Sequence, residues 1–461
     1  MSKLWVVVLV AAACGGPGGR PHFSPLDSDG TYLRDADGRI VILRGVNARV
    51  EGVFDVSFDD GRTALEPIPP LDAADCERMR QLGFDALRLP INWSGIEPEH
   101  GQYDEDYLSR VDAAIDCAGA AGLFVVVDLH EDAYSKEIGE DGAPLWAIVP
   151  PPTELLEGPL TDLQDRRLSS QVRAAFDSFF AAGDPNGLQA DFIAMLRVIA
   201  TRWADHPAVV GFEIFNEPDI DADLLRPFQV AAAGALREAA PDKLVFFEPP
   251  AIRNFLDFQP LADAPFPVDG AVYAPHLYTF VFGDQSASLQ SMTKEDLRPS
   301  VDNAVAEARA HGTPLFLGEF GIGPDMTRAD QWMAWQAELH DEYLAGDAFW
   351  VWKEDSQGAW GIFDKQPDGS WVERPQVVSW VSRLSPQRLA GEIDAVVYDS
   401  AAGSLTVRAR DAGAPHEIYV PEAAAATFSV TCDGAAVDVT RDSATGIIAP
   451  TCDGELVVTG G

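Results

Sequence analysis

From about Pro25 to Leu384 the chain repeats one pattern, a short apolar run suited to a β-strand followed by a helical stretch. Eight runs can be read: Ile40–Val46, Ala86–Leu89, Leu123–Leu129, Val209–Phe215, Leu244–Phe247, Ala271–Ala274, Pro314–Leu317 and Ala348–Val351. Alternating strands and helices predict an α/β fold with a parallel sheet, because each crossover helix returns the chain to begin the next strand in the same direction. Eight such units over ~350 residues predict closure into a (β/α)8 (TIM) barrel. The stop signals agree: the predicted helices Leu71–Leu82 and Tyr107–Ala121 end at Gly83 and Gly122, each closely followed by an apolar run. After Pro386 the character changes to short alternating stretches, Leu405–Val407, Glu417–Val420, Thr427–Val430 and Leu456–Val458, separated by Gly, Asp and Pro. That pattern predicts a small β-sandwich. The expected organisation is a leader and linker over 1–24, the barrel over 25–384 and the sandwich over 385–461.

In this fold the working face is formed by the carboxyl ends of the strands. Most of the apolar runs end in a residue able to bind or react: Asn47, Arg88, His130, Asn216 with Glu217, Glu248, His276 with Tyr278, Glu319 and Trp352. Gathered on one rim, they suit a sugar, with carboxylates for proton transfer, hydrogen bonders for hydroxyls and a tryptophan for a pyranose face. Two carboxylates on opposite parts of a rim are what glycoside hydrolysis needs. One protonates the leaving oxygen, and the other attacks the anomeric carbon or activates water; about 5–5.5 Å between them implies retention. Glu217 and Glu319 are the expected pair, as acid/base and nucleophile. This chemistry requires neither a metal nor an organic cofactor, and none is expected. The connection from Glu131 to about Val172 is long, which in a compact domain points to function.

The formal net charge of −40 disfavours nucleic acid and anionic membranes as partners and favours solubility. Lys3, the apolar run Leu4–Ala13 and the small residues around it describe a secretory leader too short to span a bilayer. Ala11-Ala12-Ala13 ahead of Cys14 resembles a bacterial lipoprotein cleavage site, which implies a lipid anchor at Cys14. Ala11 stands where such sites usually carry Leu, so plain secretion is the alternative. Export to the cell surface or medium as a monomer is expected. Four further cysteines, Cys76, Cys117, Cys432 and Cys452, allow three pairings. Sequence proximity favours Cys76–Cys117 and Cys432–Cys452; buried free thiols are the alternative.

Gly211-Phe-Glu-Ile-Phe-Asn216-Glu217-Pro218 resembles the Asn-Glu-Pro acid/base signature of glycoside hydrolase family 5. Leu315-Phe-Leu-Gly-Glu319-Phe-Gly321 resembles that family's nucleophile strand. Within the family the endoglycoceramidases are most similar. Asp128-Leu-His-Glu-Asp132-Ala-Tyr134-Ser135 resembles their Asp-Met-His-Gln-Asp-Val-Tyr-Ser. Leu43-Arg-Gly-Val-Asn47, Gly142-Ala-Pro-Leu-Trp146-Ala, Ala274-Pro-His-Leu-Tyr278 and Glu417-Ile-Tyr-Val-Pro-Glu422 extend the similarity over nearly all of the mature chain.

The resemblance implies a retaining β-glycosidase that cleaves the linkage between an oligosaccharide and ceramide in glycosphingolipids. It implies that Arg88 bonds the nucleophile, that Tyr278 lies beside it, that His130, Asn216 and His276 surround the reacting ring, and that Trp352 is the aromatic platform. Asp132 is expected to hold a sugar hydroxyl or to cap its loop. The loop Ala48–Asp60 holds Arg49 but no lysine, and Trp352-Lys353-Glu354-Asp355 is its own variant, so the head group stays open. Apolar residues in Pro144–Pro151 and Phe280-Val281-Phe282 are expected either to line a groove for lipid chains or to pack on one another. The alternative substrates are other β-glycosides, among them glucans, mannans and steryl glucosides. A glycan-binding lipoprotein without turnover is the reading from a different class.

Overall fold

The computed structural model describes residues 23, 25–256, 265–355 and 360–460. The amino-terminal leader with Cys14 lies outside the described residues.

The parallel strands are Arg44–Asn47, Ala86–Ile91, Phe124–Leu129, Val209–Glu213, Leu244–Phe247, Ala271–Tyr273 continued by His276–Leu277, Phe316–Phe320 and Gly346–Phe349. They close into a barrel. The last strand pairs with the first, Ala348 opposite Gly45, and the sixth meets the seventh through Tyr273–Leu315 and His276–Glu319. The break in the sixth strand falls at Ala274-Pro275, where proline supplies no N–H to the ladder.

Side chains of a strand alternate between faces. Ala86, Phe124, Val126, Leu244, Phe246, Val272 and Ala274 form a buried cluster inside the barrel. Continuing the same alternation toward the carboxyl ends gives Arg88, Asp128, Glu248 and His276, all buried. Each inward row is thus apolar below and polar above, which puts ionisable groups at one end of the barrel. The outward rows, such as Val125, Val127 and Leu129, pack under the helices. The helix Ala73–Gln81 starts at a capping box between Asp72 and Asp75. Glu105–Ala121 stops at Gly122, whose φ of 85° is left-handed backbone that glycine adopts without steric cost. The disulfide Cys76–Cys117 joins these two helices.

The predicted run Ile40–Val46 divides. Arg44–Asn47 enters the barrel, whereas Ile40–Val41 pairs antiparallel with Arg388–Leu389. Asp27–Ser28, Leu33–Arg34 and Ile40–Val41 therefore share a six-stranded sheet with Ser385–Leu389, Glu417–Tyr419 and Ile447–Ile448. A five-stranded sheet faces it, built of Glu392–Asp399, Ser404–Arg410, Glu455–Thr459, Ser429–Cys432 and Ala435–Ala436. The two close over one core that includes Ile40, Leu389, Val396, Val407, Ile418 and Val458, and the disulfide Cys432–Cys452 staples it. The strand Glu392–Asp399 is absent from the sequence reading, since only Val396 among its residues is fully buried. Among the described residues no helix is long and apolar enough to cross a membrane.

Candidate active site

Arg88 sits at the centre of the barrel mouth with no exposed surface. Its guanidinium forks onto Glu213 at 2.8 and 3.0 Å and reaches Glu319 at 2.8 Å, Asn216 at 2.8 Å and Asn47 at 3.0 Å. Asp128 at 3.1 Å and Glu248 at 3.4 Å complete the shell. One cation thus serves four buried carboxyls, and their fields hold Arg88 firmly protonated against the cost of burial.

Glu319 accepts from Arg88 on one oxygen and from the Tyr278 hydroxyl, at 2.7 Å, on the other. Burial pushes its carboxyl up, and the charge of Arg88 pulls against that. Glu217 lies opposite. Its Oε1 is 2.9 Å from His276 Nδ1 and 3.3 Å from Asn254 Nδ2, and its Oε2 is 3.6 Å from Arg167. Glu217, His276 and Glu319 each present an atom to a cluster whose members all lie within 4.8 Å of one another. A carboxyl oxygen of each glutamate thus lies within 4.8 Å of one of the other, the close approach that a retaining pair needs. Among the described residues, that trio, Glu213 with Glu248 and His276, and His130 with Asp132 and Asp141 are the groups whose spacing would admit a cation.

The remaining expected residues fall on the same rim, with one exception. His130 is buried, bonds Asp128 Oδ2 through Nδ1 at 2.7 Å, and is pushed down to about 4 by burial, so its ring is neutral. Burial likewise drives His276 well below its ordinary range. Asp132 accepts from Asn216 at 2.9 Å and from Arg167 at 2.5 Å. Trp352 is the correction. It is 1% exposed, donates its indole N–H to Asp75 at 3.2 Å and packs on Phe363, so it belongs to the core behind the rim. Trp350 faces the site instead, its ring parallel to that of His130 with centroids 5.7 Å apart.

Sequence reasoning also missed Arg167, Asn254 and Glu213. Arg167 ends the short helix Leu163–Arg167 inside the long third connection, and its guanidinium spans Asp132, Glu140 and Glu217. The length of that connection was the one available signal. The two apolar loops part company. In Pro144–Pro151, Ala147 and Ile148 are buried, and Trp146 stacks on His100 and meets Trp93 edge-on, so that loop packs largely onto the body of the barrel. Phe282 is 42% exposed and stacks on Trp360, and both rings touch Tyr278.

A closed parallel barrel whose mouth holds two carboxylates at this spacing, one of them clamped by an arginine and a tyrosine, defines a retaining glycoside hydrolase. The family model described as Cellulase (glycosyl hydrolase family 5) matches residues 46–356, and the chain belongs to that family. Endoglycoceramidase I of Rhodococcus hoagii is 29% identical over 424 residues, covering 86% of this chain and 80% of its own. A crystal structure of endogalactoceramidase superposes with a TM-score of 0.78 at 26% identity, over 94% of this chain and 99% of that one. Endo-glycoceramidase II from Rhodococcus sp., as a lactosyl-enzyme intermediate, gives a TM-score of 0.75 at 27% identity, over 93% and 98%.

Proposed function

We propose that this protein hydrolyses the β-linkage between a glycan and ceramide, with net retention. The observation that carries the aglycone is the aromatic wall that starts at the nucleophile. Tyr278 donates to Glu319 while its ring packs on Phe282 and Trp360, and Phe282 is open to solvent. Apolar surface beginning at the reacting centre suits a lipid leaving group. Trp350 beside His130 offers a flat face to the sugar on the other side.

In the first step Glu217 gives its proton to the glycosidic oxygen while Glu319 attacks the anomeric carbon. The ceramide leaves as an alcohol and the glycan is held as an ester of Glu319. In the second step Glu217 removes a proton from water, the oxygen attacks the same carbon, and Glu319 is released as carboxylate. The donors Arg88 and Tyr278 on Glu319 favour its ionised, attacking form. His276 and Asn254 orient Glu217. Arg49, the one cation of the loop Ala48–Asp60 that faces Trp350, is engaged by Glu66 and Glu354. We assign glycan contacts to Asn216, His130 and Asp132 as hydrogen bonders.

The test is product analysis on a glycosphingolipid panel in detergent, beside soluble β-glucans, aryl glucosides and steryl glucosides. Intact oligosaccharide plus ceramide is expected, with Glu217→Gln and Glu319→Gln each abolishing turnover in folded protein. Cleavage of only the other glycosides would refute the ceramide assignment. Retention is read from the first-formed anomer by proton NMR. The leader pattern and the two disulfides support export, with lipidation at Cys14. Palmitate labelling lost in Cys14→Ser is the expected result, and labelling absent from the native sequence would leave plain secretion.

A further inference from the structure

Glu217 has φ of 43°, in the left-handed region, although it is not glycine. Such a backbone persists only where its surroundings hold it. Its N–H is held by Glu248, at the end of the fifth strand, whose Oε2 accepts it at 3.2 Å. Glu248 also lies 3.4 Å from Nε2 of His276, the residue that bonds the Glu217 carboxyl. One side chain therefore touches both supports of Glu217, its backbone and its histidine. Glu248 is 1% exposed, and its own carbonyl is fixed by Gln229 at 2.6 Å.

The charge state of Glu248 follows from its neighbours. Arg88 gives its fork to Glu213 and donates only a single, longer bond, at 3.4 Å, to Glu248. Glu213 and Glu248 each bring a carboxyl oxygen within 4.8 Å of the other, and two carboxyls that close in a buried site favour keeping one of them protonated. Glu213, bidentate on a cation, is the anion of the two, so the proton rests on Glu248. Burial and the charge of Glu213 push Glu248 up, while Arg88 holds Glu213 down against its own burial.

We propose that Glu248 is a positioning residue that works as a neutral carboxylic acid, donating to Glu213 and accepting the Glu217 N–H so that the acid/base is held in its working conformation. This rests on the reading of Glu217 as acid/base.

The test compares Glu248→Gln, Glu248→Ala and Glu248→Leu on two substrates, the ceramide glycoside that the native enzyme cleaves and the 2,4-dinitrophenyl β-glycoside of the same glycan. A dinitrophenolate leaves without protonation, so kcat/KM, which reports the glycosylation step, loses its need for the acid. Glutamine keeps one donor and one acceptor in the shape of a protonated glutamate. Alanine and leucine are expected to lower kcat/KM on the ceramide glycoside by about 100-fold, the low end of what general acid catalysis contributes, and on the dinitrophenyl glycoside by less than about fivefold. Glutamine is expected to restore both to within about fivefold of native. Equal losses on both substrates would make Glu248 merely structural, and a glutamine variant as impaired as alanine would mean that it acts as an anion; either result overturns the proposal. Failure of the underlying reading is distinguishable, because Glu217→Gln would then show no preference for the activated leaving group.

Discussion

Replacing Arg88 with methionine removes the one cation from a shell of four buried carboxyls while keeping an unbranched stem of similar bulk. Breaking a buried ion pair from one side costs about 3–5 kcal/mol, since a charge stays behind without compensation. The escape is protonation, and its cost can be worked out for Glu213, which Arg88 forks in the native protein. A carboxyl of ordinary pKa ~4.3 forced to be neutral at pH 7 costs about 1.4 kcal/mol per unit, or ~4 kcal/mol; at pH 5 the cost is about 1 kcal/mol. The sign agrees with linkage. Arg88 holds the folded-state Glu213 below its ordinary value against burial. Native Glu213 is thus ionised in both states from pH 7 to 5, whereas in the variant the folded state carries a proton that the unfolded state releases above ~4.3, so the variant alone gains stability as pH falls. Guanidinium denaturation of native and Arg88→Met protein at both pH values is the assay. The expected gap is about 4 kcal/mol at pH 7, narrowing to about 1 kcal/mol at pH 5. A gap below about 1 kcal/mol at neutral pH, or one of equal size at both, would refute the account. Arg88→Lys is expected to rescue stability only in part, because an ammonium cannot fork Glu213 and reach Glu319 together.

Tyr278→Phe deletes a 2.7 Å hydrogen bond to Glu319; kcat should fall about 10–100-fold, the worth of a bond to a charged group, with KM changed little in steady-state kinetics. Trp350→Ala should raise KM for the glycan while stability holds. Trp352→Ala, in the core, should cost about 3–5 kcal/mol in denaturation, and the reverse pattern would restore Trp352 to the site. His130 is held down to about 4 by burial, so its contribution is complete above ~6.5 and lost as pH falls toward 4. Native protein should therefore lose up to about 3 kcal/mol more between pH 6.5 and 4 than His130→Gln, as read from denaturation midpoints.

The barrel was legible because its strands are buried on both faces and so read as continuous apolar runs, Phe124–Leu129 and Leu244–Phe247 above all. The same property hid where Ile40–Val46 changes sheets. Ile40 and Val41 are as buried as Val46, and nothing local marks that their partners lie near residue 388 rather than in the barrel. Glu217, Glu319 and Arg88 were legible for a related reason. A charged residue closing an apolar strand is costly unless it works or is paired, and all three are paired across the barrel mouth.

The tryptophan error shows where that logic stops. Trp350 and Trp352 are two apart, so strand alternation puts them on one face and cannot choose between them. The backbone chooses. The Trp350 N–H bonds Phe320 of the seventh strand, whereas the Trp352 N–H bonds Asn47 of the first. Between those residues the chain has left the ladder of the eighth strand, which ends at Phe349, and crosses behind the rim, taking Trp352 down to Asp75. Arg167 escaped for the complementary reason, and so did the role, though not the place, of Glu248. Each owes its role to partners far away in sequence, Arg167 to Asp132 and Glu217, Glu248 to Glu213 and the N–H of Glu217. A role conferred by which charges already surround a side chain is a property of the assembled barrel, and it becomes readable only when the neighbours of Arg88 can be counted against its single charge.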